Sequence, residues 1–352
     1  MDSKLKKACA SLWTCRRALG KSCGLQPRAI SWLYNAVVKP SFIHCSVVWW
    51  KKTKQTTVRN KLNHLQRMAC MGIIGAMRTT TTLAMETLLN LAPLYVEVEV
   101  HARATLYRLR NLGMWYDRGN FSGHRQLWTG LRESCTIFEM GSDSMIATFN
   151  SSPPLFKTHF SNRECWAKEE GKALHSGAQA WFMDGSMKEG KTGAGVYSQS
   201  PPWSIYVPLG RYATVFQAEI FAILTCVHVI EETGLYKRLI HIYLRTNSQA
   251  ALKALNSPWC RSKLLAEYYK ALNILGSRCK IELFWVPGHS SITENKKADE
   301  LAKAGAEQNP IGPEPMVPVA PSMGMAAFRV WGSTNTERSG EKPRGYVRQK
   351  LL

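Results

Sequence analysis

Acidic residues are scarce in this chain. It carries 25 Asp+Glu against 46 Lys+Arg, a formal charge of +21. That imbalance predicts a polyanionic partner, because each cation placed near a phosphate releases condensed counterions. A merely soluble basic surface is the plainer alternative. None of the ten cysteines forms Cys-x-x-Cys, and no Cys/His cluster has zinc spacing. The thiols are expected to be reduced, as in an intracellular protein. No apolar stretch follows the Lys-rich opening, so no signal peptide is expected. The most apolar early run, Ala36 to Trp50, is broken by Lys39 and Pro40 and is too short to span a bilayer. No membrane partner is therefore expected, no internal repeat is visible, and nothing points to a protein partner.

With 352 residues, 45% of them hydrophobic, the chain can build two or three domains with buried cores. Its charge is uneven. Residues 1–110 hold 18 Lys+Arg and 4 Asp+Glu, whereas residues 177–308 hold 15 and 11. The first segment is a basic clamp. The second is nearer neutral, as expected where carboxylates gather. Residues 1–112 have helical periodicity, clearest from Ile30 to Val38 and from Leu62 to Ile74. Basic and aromatic residues interleave there: Trp32, Tyr34, Trp49, Trp50, Lys51, Lys52 and Lys54. Such interleaving suits base stacking and phosphate contact. Taken singly, each tryptophan is expected to be a core residue rimmed by solvated lysines. Residues 113–176, with Asn150-Ser151-Ser152-Pro153-Pro154, are expected to be a connector with little structure of its own. Residues 309–352, rich in Pro, Gly and Ser, are expected to be a flexible tail.

The rhythm changes over 177–308. Ala180 to Met183, Gly193 to Tyr197 and Trp203 to Val207 predict a three-strand meander. A long helix over about 214–232, a strand over 239–244, helices over 248–256 and 262–276, a fifth strand over 281–286 and a helix over 295–307 follow. This order predicts an α/β domain: a five-stranded mixed sheet flanked by helices, preceded by the helical basic region. Asp184 ends the first strand, Glu219 lies one turn inside the long helix, and Asp299 lies in the last helix. All three sit among apolar neighbours, where an uncompensated carboxylate costs several kcal/mol. Three such acids converging would form a hard-oxygen site suited to Mg²⁺. Two ions roughly 3.5–4 Å apart can clamp the attacking and leaving oxygens of a phosphodiester. Taken singly, Glu219 and Asp299 also fit helix-surface acids.

Six stretches resemble type 1 ribonuclease H in order and spacing. They are Asp184-Gly185-Ser186, Gly193-Ala194-Gly195-Val196, Gln217-Ala218-Glu219-Ile220, Asn247-Ser248-Gln249-Ala250-Ala251-Leu252, Trp285-Val286-Pro287-Gly288-His289-Ser290 and Ala298-Asp299-Glu300-Leu301-Ala302. The resemblance implies cleavage of the RNA strand of RNA–DNA hybrids with two Mg²⁺ ions, for which Mn²⁺ can substitute. It implies that Asp184, Glu219 and Asp299 are metal ligands and catalytic residues, and that His289 assists proton transfer and product release. The fourth ligand of the family is an aspartate, and this chain has Asn247 there. An amide offers one neutral oxygen in place of a charged carboxylate, so weak or absent cleavage is expected. Non-catalytic hybrid binding is the alternative. Glu294-Asn295-Lys296 also departs from the family's Gly-Asn-Glu, with an effect expected on stability rather than chemistry.

Residues 22–100 contain Trp32 to Pro40, Val47 to Trp50, Leu65 to Cys70 and Gly75 to Thr80. They resemble the region after the reverse-transcriptase palm of non-LTR retrotransposons. The resemblance implies the C-terminal part of such a polyprotein, with a thumb-like segment gripping nucleic acid through Lys51, Lys52, Lys54 and Arg78. No Ala-Asp-Asp or Tyr-x-Asp-Asp occurs, so no polymerase activity is expected.

Overall fold

A computed structural model describes residues 2–17, 26–115, 122–132, 135–150, 153–160, 178–237, 241–288 and 292–338. The chain divides into two compact units, residues 1–138 with 324–352, and residues 139–323.

The first unit is helical, as its periodicity predicts. Its helices are α1 (Asp2–Arg17), α2 (Pro27–Leu33), α3 (Lys39–Ile43), α4 (Ser46–Trp49), α5 (Thr56–Ile74), α6 (Thr82–Leu88), α7 (Leu94–Asn111) and α8 (Ser122–Arg132). Leu62, Leu65, Ala69 and Ile73 line the buried stripe of α5, at the spacing of one helix face. Gly75 ends α5 in the left-handed region, at φ 65°, a conformation that costs glycine little. Trp50 and Tyr34 are buried core residues, whereas Trp32 is 64% exposed.

The second unit holds strands β1 (Ser144–Phe149), β2 (Phe156–His159), β3 (Ala178–Lys188), β4 (Lys191–Ser198), β5 (Trp203–Gly210), β6 (His241–Thr246), β7 (Trp259–Ser262) and β8 (Lys280–Trp285). Its helices are α9 (Val215–Glu232), α10 (Gln249–Leu255), α11 (Lys263–Gly276) and α12 (Thr293–Glu307). The main sheet runs β2-β8-β6-β3-β4-β5. β3, β4 and β5 form an antiparallel meander, and β6, β8 and β2 add in parallel. Trp181 and Met183 of β3 point into a core shared with Ile220, Ile223 and Val227 of α9 and Leu272 of α11. On the opposite face α12 packs against β3, β4 and β5. A side chain at Gly195 would collide with the α12 backbone at Ala298 and Ala302, so β4 needs glycine there.

Two boundaries differ from the sequence expectation. The 113–176 stretch is not a bare connector: it supplies α8, β1 and β2. β2 makes the main sheet six-stranded rather than five-stranded, pairing Phe156 with Ile281 and burying Phe156 in the core. β1 pairs antiparallel with β7, matching Ser144 to Ser262. Asp143, just before β1, is buried and accepts from Leu264 N at 2.9 Å, Ser262 Oγ at 2.8 Å and Gln217 Nε2 at 3.3 Å. It thereby satisfies free donors at the start of α11 and joins that helix to α9. Asp143→Ala leaves those donors unpaired and is expected to cost about 2–4 kcal/mol in a denaturant titration. A loss below about 0.5 kcal/mol would contradict this role.

The flexible tail expected from residue 309 is not found over 309–338. Val317 and Val319 are buried, and Val319 N donates to Gly141 O at 2.7 Å. Helix α13 (Pro321–Arg338) follows, and its residues from Gly324 onward belong to the first unit. There Phe328 is fully buried against the rings of Tyr107 and Phe138, 5.6 and 5.1 Å away. Burying those three rings together favours helix over the disorder that the local composition predicts. Residues 339–352 lie outside the described residues.

Candidate active site

The acidic positions meet at one end of the second unit's sheet. Asp184 does not end β3 as the sequence predicts: the strand runs on to Lys188 because β4 keeps pairing with it. Asp184 stands one residue past the last β3–β6 pair, Met183 with Thr246, with Gly185 next. A Cβ at Gly185 would stand 2.7 Å from Glu219 N, so glycine is what lets α9 approach the strand this closely. Thr214 opens α9 with a capping box: its hydroxyl accepts from Gln217 N at 3.2 Å, and Gln217 Oε1 accepts from Thr214 N at 3.1 Å. This fixes the first turn and places Glu219 beside Asp184. Thr246, the last residue of β6, donates to Glu219 Oε2 at 3.4 Å and accepts from Ser248 N at 3.1 Å. Trp285 Nε1 donates to Asn247 O at 3.0 Å, anchoring the turn that carries Asn247.

Asp184 and Glu219 are both buried, 5% and 6% exposed. Burial, and to a smaller degree the nearby Asp299, pushes the Asp184 carboxyl up to about 6 against its hydrogen bonds from Asn247 and Gly185. Burial and the neighbouring Asp184 carboxylate hold Glu219 well above the ordinary glutamate range. Burial is the larger cause for both acids, and a cation held between them would offset it. Asp299, on α12, is less buried, and its carboxylate pairs with Lys303 Nζ one turn on, at 2.6 Å.

Asn247 Nδ2 donates to Asp184 Oδ2 at 2.9 Å. The position where the resemblance expects a fourth carboxylate thus presents a hydrogen-bond donor to the acid that should share its cation. Among the described residues no group of three or more His, Cys, Asp or Glu side chains is arranged to hold a metal ion. The oxygens of Asp184, Glu219 and Asp299 are nonetheless of the right chemistry for a hard divalent cation. The upward pKa shifts of Asp184 and Glu219 are what such a cation would reverse. The donor set therefore fits, with two of its four positions already engaged by an amide and an ammonium. Lys303 escaped the sequence reading, although its i+4 spacing from Asp299 was a usable signal.

His289 lies outside the described residues. The basic candidates belong to the first unit and do not join the acidic site's own constellation. Lys51, Lys52 and Lys54 are exposed on a short 3-10 turn over Trp50–Lys54, with Lys54 Nζ 5.3 Å from the Trp50 ring centre. Arg78 is exposed in a loop held by Arg67, whose guanidinium donates to Thr80 O at 2.7 Å and to Thr82 Oγ1 at 3.0 Å. No helix among the described residues is long and apolar enough to cross a membrane.

Residues 176–307 match the family model described as RNase H. Proteins named ribonuclease H from Rhizobium johnstonii and Rhizobium etli are each 48% identical over 42 residues, 12% of this chain. The chain spans 28% of the length of these relatives. The second unit, with its mixed sheet and flanking helices, thus contains an RNase H domain over residues 176–307.

Proposed function

We propose that the second unit binds RNA–DNA hybrids and hydrolyses the RNA strand with Mg²⁺, slowly because Asn247 stands where a carboxylate is needed. The observation that carries this reading is the placement of Asp184, on a strand, close enough to Glu219 and Asp299, on two helices, for both to act on its carboxyl. Asp184 and Glu219 would hold the cation, with Asp299 joining once Lys303 releases it. When bound, the divalent ions supply an activated water and neutralise the charge that develops on the scissile phosphate. The chain's own residues set the geometry: Thr246 fixes Glu219, and Trp285 fixes the Asn247 turn. The products would be 5′-phosphate and 3′-hydroxyl ends. A basic helical unit preceding an RNase H domain supports an origin in a non-LTR retrotransposon polyprotein.

One observation favours a second reading, hybrid binding without cleavage. The Asn247 amide already satisfies one Asp184 oxygen, and Lys303 already neutralises Asp299. A hybrid-cleavage assay with Mg²⁺ and with Mn²⁺ separates the two. Weak RNA-strand cleavage is expected, abolished by chelation and by Asp184→Asn or Glu219→Gln. Binding with no cleavage under either metal would replace the first reading with the second. Neither binding nor cleavage would overturn both.

A further inference from the structure

Two cavities open among the described residues of the first unit. The larger, about 750 Å³, is lined by Lys39 and Arg329, with Lys39 matched by Glu97 at 3.3 Å. The smaller, about 410 Å³, is different in charge. Lys54, Arg59 and Arg103 line it, against the single carboxylate of Glu99. Glu99 is spent on Arg103, 3.0 Å away. Arg103 is itself buried and also donates to Leu131 O. Lys54 and Arg59 have no carboxylate partner among the described residues, and the buried Arg59 Nε has no acceptor.

The walls carry flat surfaces as well as charge. The Arg59 guanidinium lies 4.3 Å from the Tyr95 ring centre, and that of Arg103 lies 3.7 Å from the ring centre of Trp331 on α13. Guanidinium planes and aromatic rings are both surfaces on which bases stack. Surplus positive charge, an unsatisfied buried donor and stacking planes in one concavity are complementary to a nucleotide. The volume lies within the range of small-ligand sites. A base within a duplex is already stacked on both faces and cannot enter a concavity, so an unpaired one is required.

We infer that this cavity takes one unstacked nucleotide of a single-stranded nucleic acid, its phosphate held by Arg59 and Lys54 and its base against the guanidinium and aromatic planes. This does not rest on the acidic site of the second unit. Cleavage of a hybrid can be followed in parallel as a separate readout of that site.

Calorimetric titration of the full chain with 5′-AMP, adenosine and inorganic phosphate tests the chemistry. Competition by a short single-stranded oligonucleotide, and by its duplex, tests the source. AMP is expected to bind at least about tenfold tighter than adenosine or phosphate alone, since charge-assisted bonds and stacking both contribute. The single strand should displace it and the duplex should not. Arg59→Gln should weaken AMP about tenfold, with Arg59→Lys intermediate, each checked for an unchanged circular dichroism spectrum. Lys54→Gln, at an exposed position, should weaken AMP severalfold with no risk to the fold. Equal affinity for adenosine and AMP, AMP binding indifferent to Arg59→Gln and Lys54→Gln, or equal competition by duplex would each overturn the inference. AMP binding that the single strand fails to displace would also overturn it, in favour of a free nucleotide.

Discussion

Asn247→Asp will raise RNA-strand cleavage of a hybrid by roughly a thousandfold, if the missing carboxylate is worth several kcal/mol at tenfold per 1.36 kcal/mol. In the present chain the amide donates to Asp184 Oδ2 at 2.9 Å, which partly offsets the charge of a buried acid. An aspartate at 247 removes that donor and brings a further negative charge against Asp184 and Glu219, both already raised by burial. Without divalent ions the variant should therefore melt at a lower temperature than the parent chain. With Mg²⁺ it should recover more than the parent gains, because stabilisation follows ligand affinity. Thermal melts with and without Mg²⁺ read this independently of activity. Full activity in the unmodified chain, or equal Mg²⁺ shifts in both proteins, would refute the account of the missing charge. Lys303 stays paired with Asp299 in this variant, so Lys303→Met on top of it should strengthen the Mg²⁺ response further.

The elements that carry the candidate acids were legible in the sequence because they have strong local patterns. Asp184 closes an apolar run before a glycine, and Glu219 follows a capping box, so both could be placed without coordinates. What escaped depends on partners distant in the chain. β2 is only four residues long and follows two prolines, so nothing local marks it as a strand. It exists because β8 offers an open parallel edge and the core accepts Phe156. Asp143 reads as a turn residue within Gly141-Ser142-Asp143-Ser144, and its role appears only when Leu264 and Gln217 arrive from far along the chain. Helix α13 carries two glycines, Gly324 and Gly332, that argue against a helix locally. In the fold they face Tyr107 and Val100, where a larger side chain would crowd the packing.

Asp184→Asn will make the protein more stable at pH 7, by about 1–3 kcal/mol, while removing any cleavage. Burial raises the Asp184 carboxyl from 3.8 to about 6, so the folded chain binds a proton that the unfolded chain has released. Stability from this group is therefore greatest below about pH 4, falls as pH climbs towards about 6, and carries its full penalty above that. A two-unit rise corresponds to roughly 3 kcal/mol. Part is lost because an amide keeps only one oxygen to accept from Asn247 and Gly185. Glu219 shifts in the same direction from the same cause, and neutralising Asp184 removes the charge that repels it. Denaturant titrations between pH 4 and pH 7 should show the parent chain losing stability, chiefly up to about pH 6, and the variant losing less. Parallel curves, or a variant less stable than its parent at pH 7, would mean that these acids are not strained. A gain in stability on neutralising Asp184 is what a site poised for a cation would give, and a cation held by Asp184 and Glu219 would offset both their burial and their repulsion.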